Sequence, residues 1–116
     1  MAIRSNNLVI IQNGSGYASW SGLLLGDSGE IMDLANYADR SVQATGAFGA
    51  SGAVTIQGSN DGVIWATLKD AFGNALVLTA ASIAQIMEIT RFIRPSVATG
   101  DGTTNLAVTL FALRSK

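Results

Sequence analysis

What most constrains this chain is a rhythm of short apolar runs, each cut off within a few residues by glycine, asparagine, aspartate or serine. The stretch VTIQGSNDGVIWATL, Val54 to Leu68, shows it most plainly. Val54 and Ile56 alternate with Thr55 and Gln57, the period of two of a half-buried strand. Gly58 closes that run, and Asp61-Gly62 tolerates the positive φ of a tight turn. Val63, Ile64, Trp65, Thr67 and Leu68 are strong strand formers beyond it. The stretch therefore predicts a β-hairpin, with Trp65 placed in the core.

The same texture recurs. Ser41 to Phe48 sets Val42, Ala44 and Phe48 on one face and Ser41, Gln43 and Thr45 on the other. Leu106, Val108 and Leu110 alternate with Ala107, Thr109 and Phe111 in a strand running to Arg114. Further strands are expected at Leu8 to Gln12, Ser21 to Leu25, Glu30 to Leu34, Leu76 to Thr79 and Phe92 to Val97. Pro95 cannot donate to a ladder, which predicts a sheet edge or a bulge there. Only Ala80 to Met87 breaks the pattern: Ile83, Ile86 and Met87 fit one helical face and predict a short helical turn. Turn signals every ten residues or so, with hardly any helical periodicity, predict an all-β, two-sheet β-sandwich of jelly-roll type with at most one short helix. Val54, Ile56, Trp65, Leu68, Val108 and Leu110 are the predicted core.

A length of 116 residues fits one domain, 1–116, with 1–15 as a candidate N-terminal arm able to add a strand to a neighbouring chain. The apolar run Leu8 to Ile11 is too short for a signal-peptide core, and no stretch has the roughly 20 apolar residues of a membrane span, so the expectation is a soluble chain that is not exported.

Chemistry is restricted by what the chain lacks. It contains no cysteine and no histidine, which removes thiolate chemistry, disulfides, the commonest general base and the commonest metal ligand. Its serine and threonine hydroxyls therefore have no imidazole to activate them. Paired carboxylates remain available for glycoside hydrolysis, but the acidic residues stand mainly in turns, where they serve the turn. The glycine-rich pieces at Gly14 to Gly16 and Gly46 to Gly52 lack the Lys-Ser/Thr of a phosphate-binding loop. Five arginines and two lysines are scattered singly and make no basic stripe for nucleic acid. We expect no enzyme, no cofactor, no metal and no nucleic-acid partner.

Charged residues are 13% of the chain and net charge is −1, against about 25% charged in ordinary domains. So neutral a surface favours association, which argues that native partners cover part of it. Tyr17, Trp20 and Tyr37 lie in or near expected loops. Each is a candidate interface or ligand contact, with local packing as the alternative.

The hairpin VTIQGSNDGVIWATL, followed by RFIRPSV and GDGTTNLAVTLFALR, resembles small all-β structural proteins encoded among the virion genes of tailed bacteriophages, generally taken to be capsid decoration or other head-associated proteins. The resemblance covers Ser41 to Arg114. GSNDG followed by tryptophan also resembles a hairpin of discoidin-type jelly rolls, although this chain is shorter and lacks their cysteines. The phage resemblance implies a homo-oligomer, typically a trimer, that binds the major capsid protein and cements neighbouring subunits in a virion assembled in the host cytoplasm. The alternative is a carbohydrate- or receptor-binding module on a phage tail or baseplate.

Overall fold

The structure, a computed structural model, describes residues 3–4, 6–12, 15–34, 37 and 39–113, with residues 6–12 as backbone only. Through them run strands β1 (Ile3–Arg4), β2 (Asn6–Gln12), β3 (Ser15–Leu23), β4 (Ser28–Gly29), β5 (Met32–Asp33), β6 (Asp39–Ala47), β7 (Ala53–Ser59), β8 (Ala66–Thr67), β9 (Val77–Leu78), β10 (Ser82–Gln85), β11 (Phe92–Thr99) and β12 (Asn105–Leu113). One sheet has the order β2-β3-β12-β6-β10. The other has the order β1-β4-β11-β7-β8, with β5 continuing the line of β4 along β11 and β9 continuing that of β8 along β7. The chain crosses between sheets from β1 to β2, β3 to β4, β5 to β6, β6 to β7, β9 to β10, β10 to β11 and β11 to β12. This is jelly-roll winding.

Strict alternation builds the interior. Ala18 and Trp20 of β3, Val42 and Ala44 of β6, and Leu106, Val108, Leu110 and Ala112 of β12 point inward from the five-stranded sheet; Val54 and Ile56 of β7 with Ile93 and Val97 of β11 meet them from the other. Five of the six predicted core residues, Val54, Ile56, Leu68, Val108 and Leu110, are buried.

The two tryptophans exchange the places expected of them. Trp20, a candidate contact residue, is 1% exposed and is the largest side chain in the core. It shares the inward phase of Ala18, and its indole N–H donates to the Glu30 carbonyl at 3.1 Å, which satisfies the ring's polar atom. Trp65, expected in the core, is half-exposed. The predicted hairpin forms, but β8 pairs with β7 over only Gln57–Thr67 and Gly58–Ala66, so Trp65 falls in the connecting loop.

Two further expectations change. Residues 82–85 form β10, antiparallel to β6, where a helical turn was expected: Ala84 opposite Val42 packs on the core while Ile83 opposite Gln43 points out. Pro95 lies in β11, within the sheet and not at its edge; the alternative, a bulge, falls just beyond it, where the register with β7 shifts between Ser96 and Thr99. Ile56, opposite Pro95, uses its own N–H and carbonyl toward Leu76 and Leu68, away from β11. The Pro95 nitrogen therefore faces the other neighbour, where β4 and β5 are interrupted between Gly29 and Met32 and no donor is required. Residues 6–12 of the expected arm run antiparallel to β3 of the same chain; residues 1–2, 5 and 13–14 lie outside the described residues.

Candidate functional site

The outer face of the five-stranded sheet is almost free of charge. Along β2, β3, β6, β10 and β12 the only side chains charged at neutral pH are Asp39 and Arg40, and Arg40 points inward, 3% exposed. The outward positions of β3, β6, β10 and β12 are serine, threonine, glutamine, alanine and a few large apolar groups. One register row reads Gln85, Ser41, Phe111, Tyr17 across β10, β6, β12 and β3; the next reads Ile83, Gln43, Thr109, Ser19. The small Ser41 between Gln85 and Phe111 leaves a depression of about 310 Å³, lined by Asp39, Arg40, Ser41, Gln85, Phe111 and Leu113. Tyr17, half-buried, stands beside Phe111 and extends the aromatic part of this face.

Beneath the face, Arg40 fixes two loops. Its guanidinium donates to the Thr90 carbonyl and to the Tyr37 carbonyl, each at 2.8 Å. Burial lowers its pKa from the ordinary arginine value. Tyr37, the third candidate contact, is half-buried against the core, its backbone N–H donating to the Leu34 carbonyl at 3.0 Å. Tyr17 thus belongs to the uncharged face, Tyr37 to the loop that Arg40 holds, and Trp20 to the interior.

The opposite face, on the seven-stranded sheet, gathers charge and aromatic surface. The Arg94 guanidinium lies 4.1 Å from the centre of the Trp65 ring, and its Nε donates to the Gln57 side-chain oxygen at 2.9 Å. Arg91 stands 4.8 Å from the centre of Phe92 and 3.3 Å from an Asp33 oxygen. Gln57 and Arg94 are register partners, so parity projects both from the same face. Sequence periodicity alone does not give this cluster, because Trp65 belongs to a loop; Arg94 and Gln57, both flanked by inward apolar residues, were the available signal.

The turn carboxylates are committed to the backbone. Asp61 accepts from the amides of Ile64 and Val63 and from the Ser59 hydroxyl, and these bonds hold it below the usual carboxylate range. Asp101 accepts from the Thr103 hydroxyl at 2.6 Å, from the Ala50 amide at 2.8 Å and from the Thr103 amide at 2.8 Å, and its pKa falls to about 2. Such carboxylates are poor proton acceptors near neutrality. Among the described residues, no group of three or more His, Cys, Asp or Glu side chains could hold a metal ion, and no helix is long and apolar enough to cross a membrane.

No protein-family model matches the chain, and neither does any curated protein. Among solved structures, the SPBc2 prophage-derived protein YomS superposes with a TM-score of 0.63 at 12% identity, over 92% of this chain and 99% of that one. Protein NMB1881 from Neisseria meningitidis gives 0.45 at 12% identity over 93% of this chain and 81% of its own. An RmlC-like cupin from Desulfovibrio desulfuricans gives 0.43 at 7% identity, over 92% of this chain and 79% of its own. At that identity, the match to the prophage-derived protein shows a shared fold along nearly the whole of both chains.

Proposed function

We propose that this chain is a non-enzymatic structural protein of a bacteriophage particle: a decoration or cement protein that binds the major capsid protein as a homo-oligomer, a trimer in the simplest case. The observation that carries the reading is the uncharged outer face of β3, β12, β6 and β10. A broad sheet surface of serine, threonine, glutamine and apolar groups, bearing one exposed charge at Asp39, suits burial against protein because little desolvation of charge opposes it. The fold shared with a prophage-derived protein over 99% of that protein's length supports a phage origin. On a capsid, each modest contact is repeated by symmetry, and an oligomer engaging several subunits gains avidity without any one strong site. Adding the purified protein to undecorated capsids tests this. Saturable binding that raises the particles' heat resistance supports it, and Thr109→Lys on the uncharged face should weaken that binding. A protein that neither binds nor stabilises such particles is not a cement protein.

A second reading, a carbohydrate- or receptor-binding module, is favoured by one arrangement only. Trp65, Arg94 and Gln57 place an aromatic ring beside polar side chains on the other sheet, a pairing suited to a sugar's apolar face and hydroxyls. Selective glycan binding lost in Trp65→Ala, without capsid binding, would replace the first reading by this one.

A further inference from the structure

The exposed large apolar side chains concentrate on two opposite edges of the sandwich. At one edge β10 ends the five-stranded sheet and the β8–β9 line ends the other. The Met87 amide donates to the Lys69 carbonyl at 2.8 Å and the Lys69 amide to the Glu88 side chain at 2.7 Å, which ties the segment after β10 to the segment after β8. Here Phe72, Ile83, Met87 and Ile89 are 88%, 69%, 54% and 67% exposed. At the other edge β2 and β1 end the two sheets, and the Trp20 side chain of β3, packed against Gly29 of β4, shows that these ends lie over one another. Ile3, Leu24, Leu25 and Ile31 are exposed there, at 72%, 42%, 47% and 44%.

We infer that these two unlike edges are the two halves of one interface, and that copies of this chain associate head to tail, the β8–β10 edge of one copy against the β1–β2 edge of the next, in a closed ring. The inference rests on the homo-oligomer in the reading above and names its contact surfaces.

Area and symmetry both favour a second copy as the occupant. A side chain of this size carries on the order of 100 Å² of apolar surface, so the four residues of the β8–β10 edge expose roughly 280 Å². An interface of standard size removes about 800 Å² from each partner, a little over half of it apolar, and this edge alone supplies most of that apolar share. The β1–β2 edge adds its four side chains and the outer backbone edge of β2, which has no neighbouring strand among the described residues. A two-fold dimer buries one kind of edge twice and leaves the other exposed. Head-to-tail contact buries both kinds in every copy, and it ends in a ring when the rotation closes.

Native mass spectrometry and sedimentation, on the whole chain and on two exposed-site variants, test this. Phe72→Lys alters the β8–β10 edge and Leu25→Lys the β1–β2 edge. The parent should be a closed oligomer at micromolar concentration, and each variant should be a monomer with the parent's melting behaviour. An equimolar mixture of the two variants should form a 1:1 heterodimer, joined through the one pair of edges that neither has lost. If a variant fails to fold, Ile83→Lys and Ile31→Lys supply the same pair of tests. A monomeric parent overturns both the ring and the homo-oligomer. An oligomer indifferent to Leu25→Lys, or a mixture without the heterodimer, overturns the ring alone. A ring that does not bind undecorated capsids leaves this inference standing and removes the capsid reading.

Discussion

The Arg94 guanidinium lies 4.1 Å above the centre of the Trp65 ring, and that contact, with the Gln57 bond behind it, is how a tryptophan outside the core is held on the sheet surface. A half-exposed cation–π pair is worth about 0.5–1 kcal/mol. Trp65→Ala should therefore cost about 1 kcal/mol in denaturant unfolding, and Arg94→Ala should lose its effect in that background. Trp20→Ala, which empties the centre of the sandwich, should cost about 3–5 kcal/mol. Equal losses from the two tryptophans would contradict the assignment.

Gly29 is required by its neighbours. A Cβ there would stand 2.6 Å from two Pro95 ring carbons and 2.7 Å from a Trp20 ring carbon. Gly29→Ala should destabilise the fold by about 1–3 kcal/mol, as overpacking does. Gly102→Ala, where a Cβ meets nothing within 4 Å, is the control and should lie within about 0.5 kcal/mol of the parent. Urea midpoints of the two variants make the comparison.

Arg40 holds the carbonyls of Tyr37 and Thr90 together from inside the sandwich. Arg40→Ala strands two acceptors in a dry site and should cost roughly 2–5 kcal/mol. Arg40→Lys should recover only part of this, because a single ammonium cannot reproduce the fork of two N–H groups. Full recovery by lysine would mean that charge alone, without the fork, is what the site needs.

Asp101 gives a pH signature. Its pKa of about 2 in the fold lies below the roughly 3.9 of an unfolded aspartate, so its contribution is complete above about pH 4 and is lost as pH falls through about 2. The difference in melting temperature between the parent and Asp101→Ala should be constant from pH 7 to 5 and shrink below pH 4. A carboxyl carbon titration should place the midpoint near 2; a value near 3.9 would show that the Thr103 and Ala50 bonds do not form in solution.

Alternation made β6, β7 and β12 legible because both their neighbours and the core demand one phase: Val42, Val54 and Val108 could each be assigned a side from two residues of context. A run of β-formers predicts a strand through Trp65, whereas a partner strand exists only at Ala66 and Thr67. Residues 80–87 offered helical spacing that strand pairing with β6 overrode, turning Ile83 out and leaving Ile86 buried. The expectation of an edge or a bulge at Pro95 leaves out a third arrangement, because one sequence cannot show that the neighbouring strand breaks opposite it. Of the uncharged face, the sequence marks Tyr17 as a candidate contact. Alternation sets Phe111 on the side of Ala107 and Thr109, away from the core, but the parity of one strand does not show that Tyr17 and Ser41 stand beside it on neighbouring strands.

The place of β12 between β3 and β6 has a kinetic cost. Leu113 pairs on one side with Ser15 and on the other with Asp39, so two strands made early must wait for one made much later before the five-stranded sheet has a middle. Local hairpins cannot bridge that gap, and topologies dominated by such distant pairings fold in milliseconds to seconds rather than microseconds. On the ribosome, β3 and β6 emerge with their inward Trp20 and Val42 uncovered, and the chain's most aggregation-prone moment falls before it is complete enough to close.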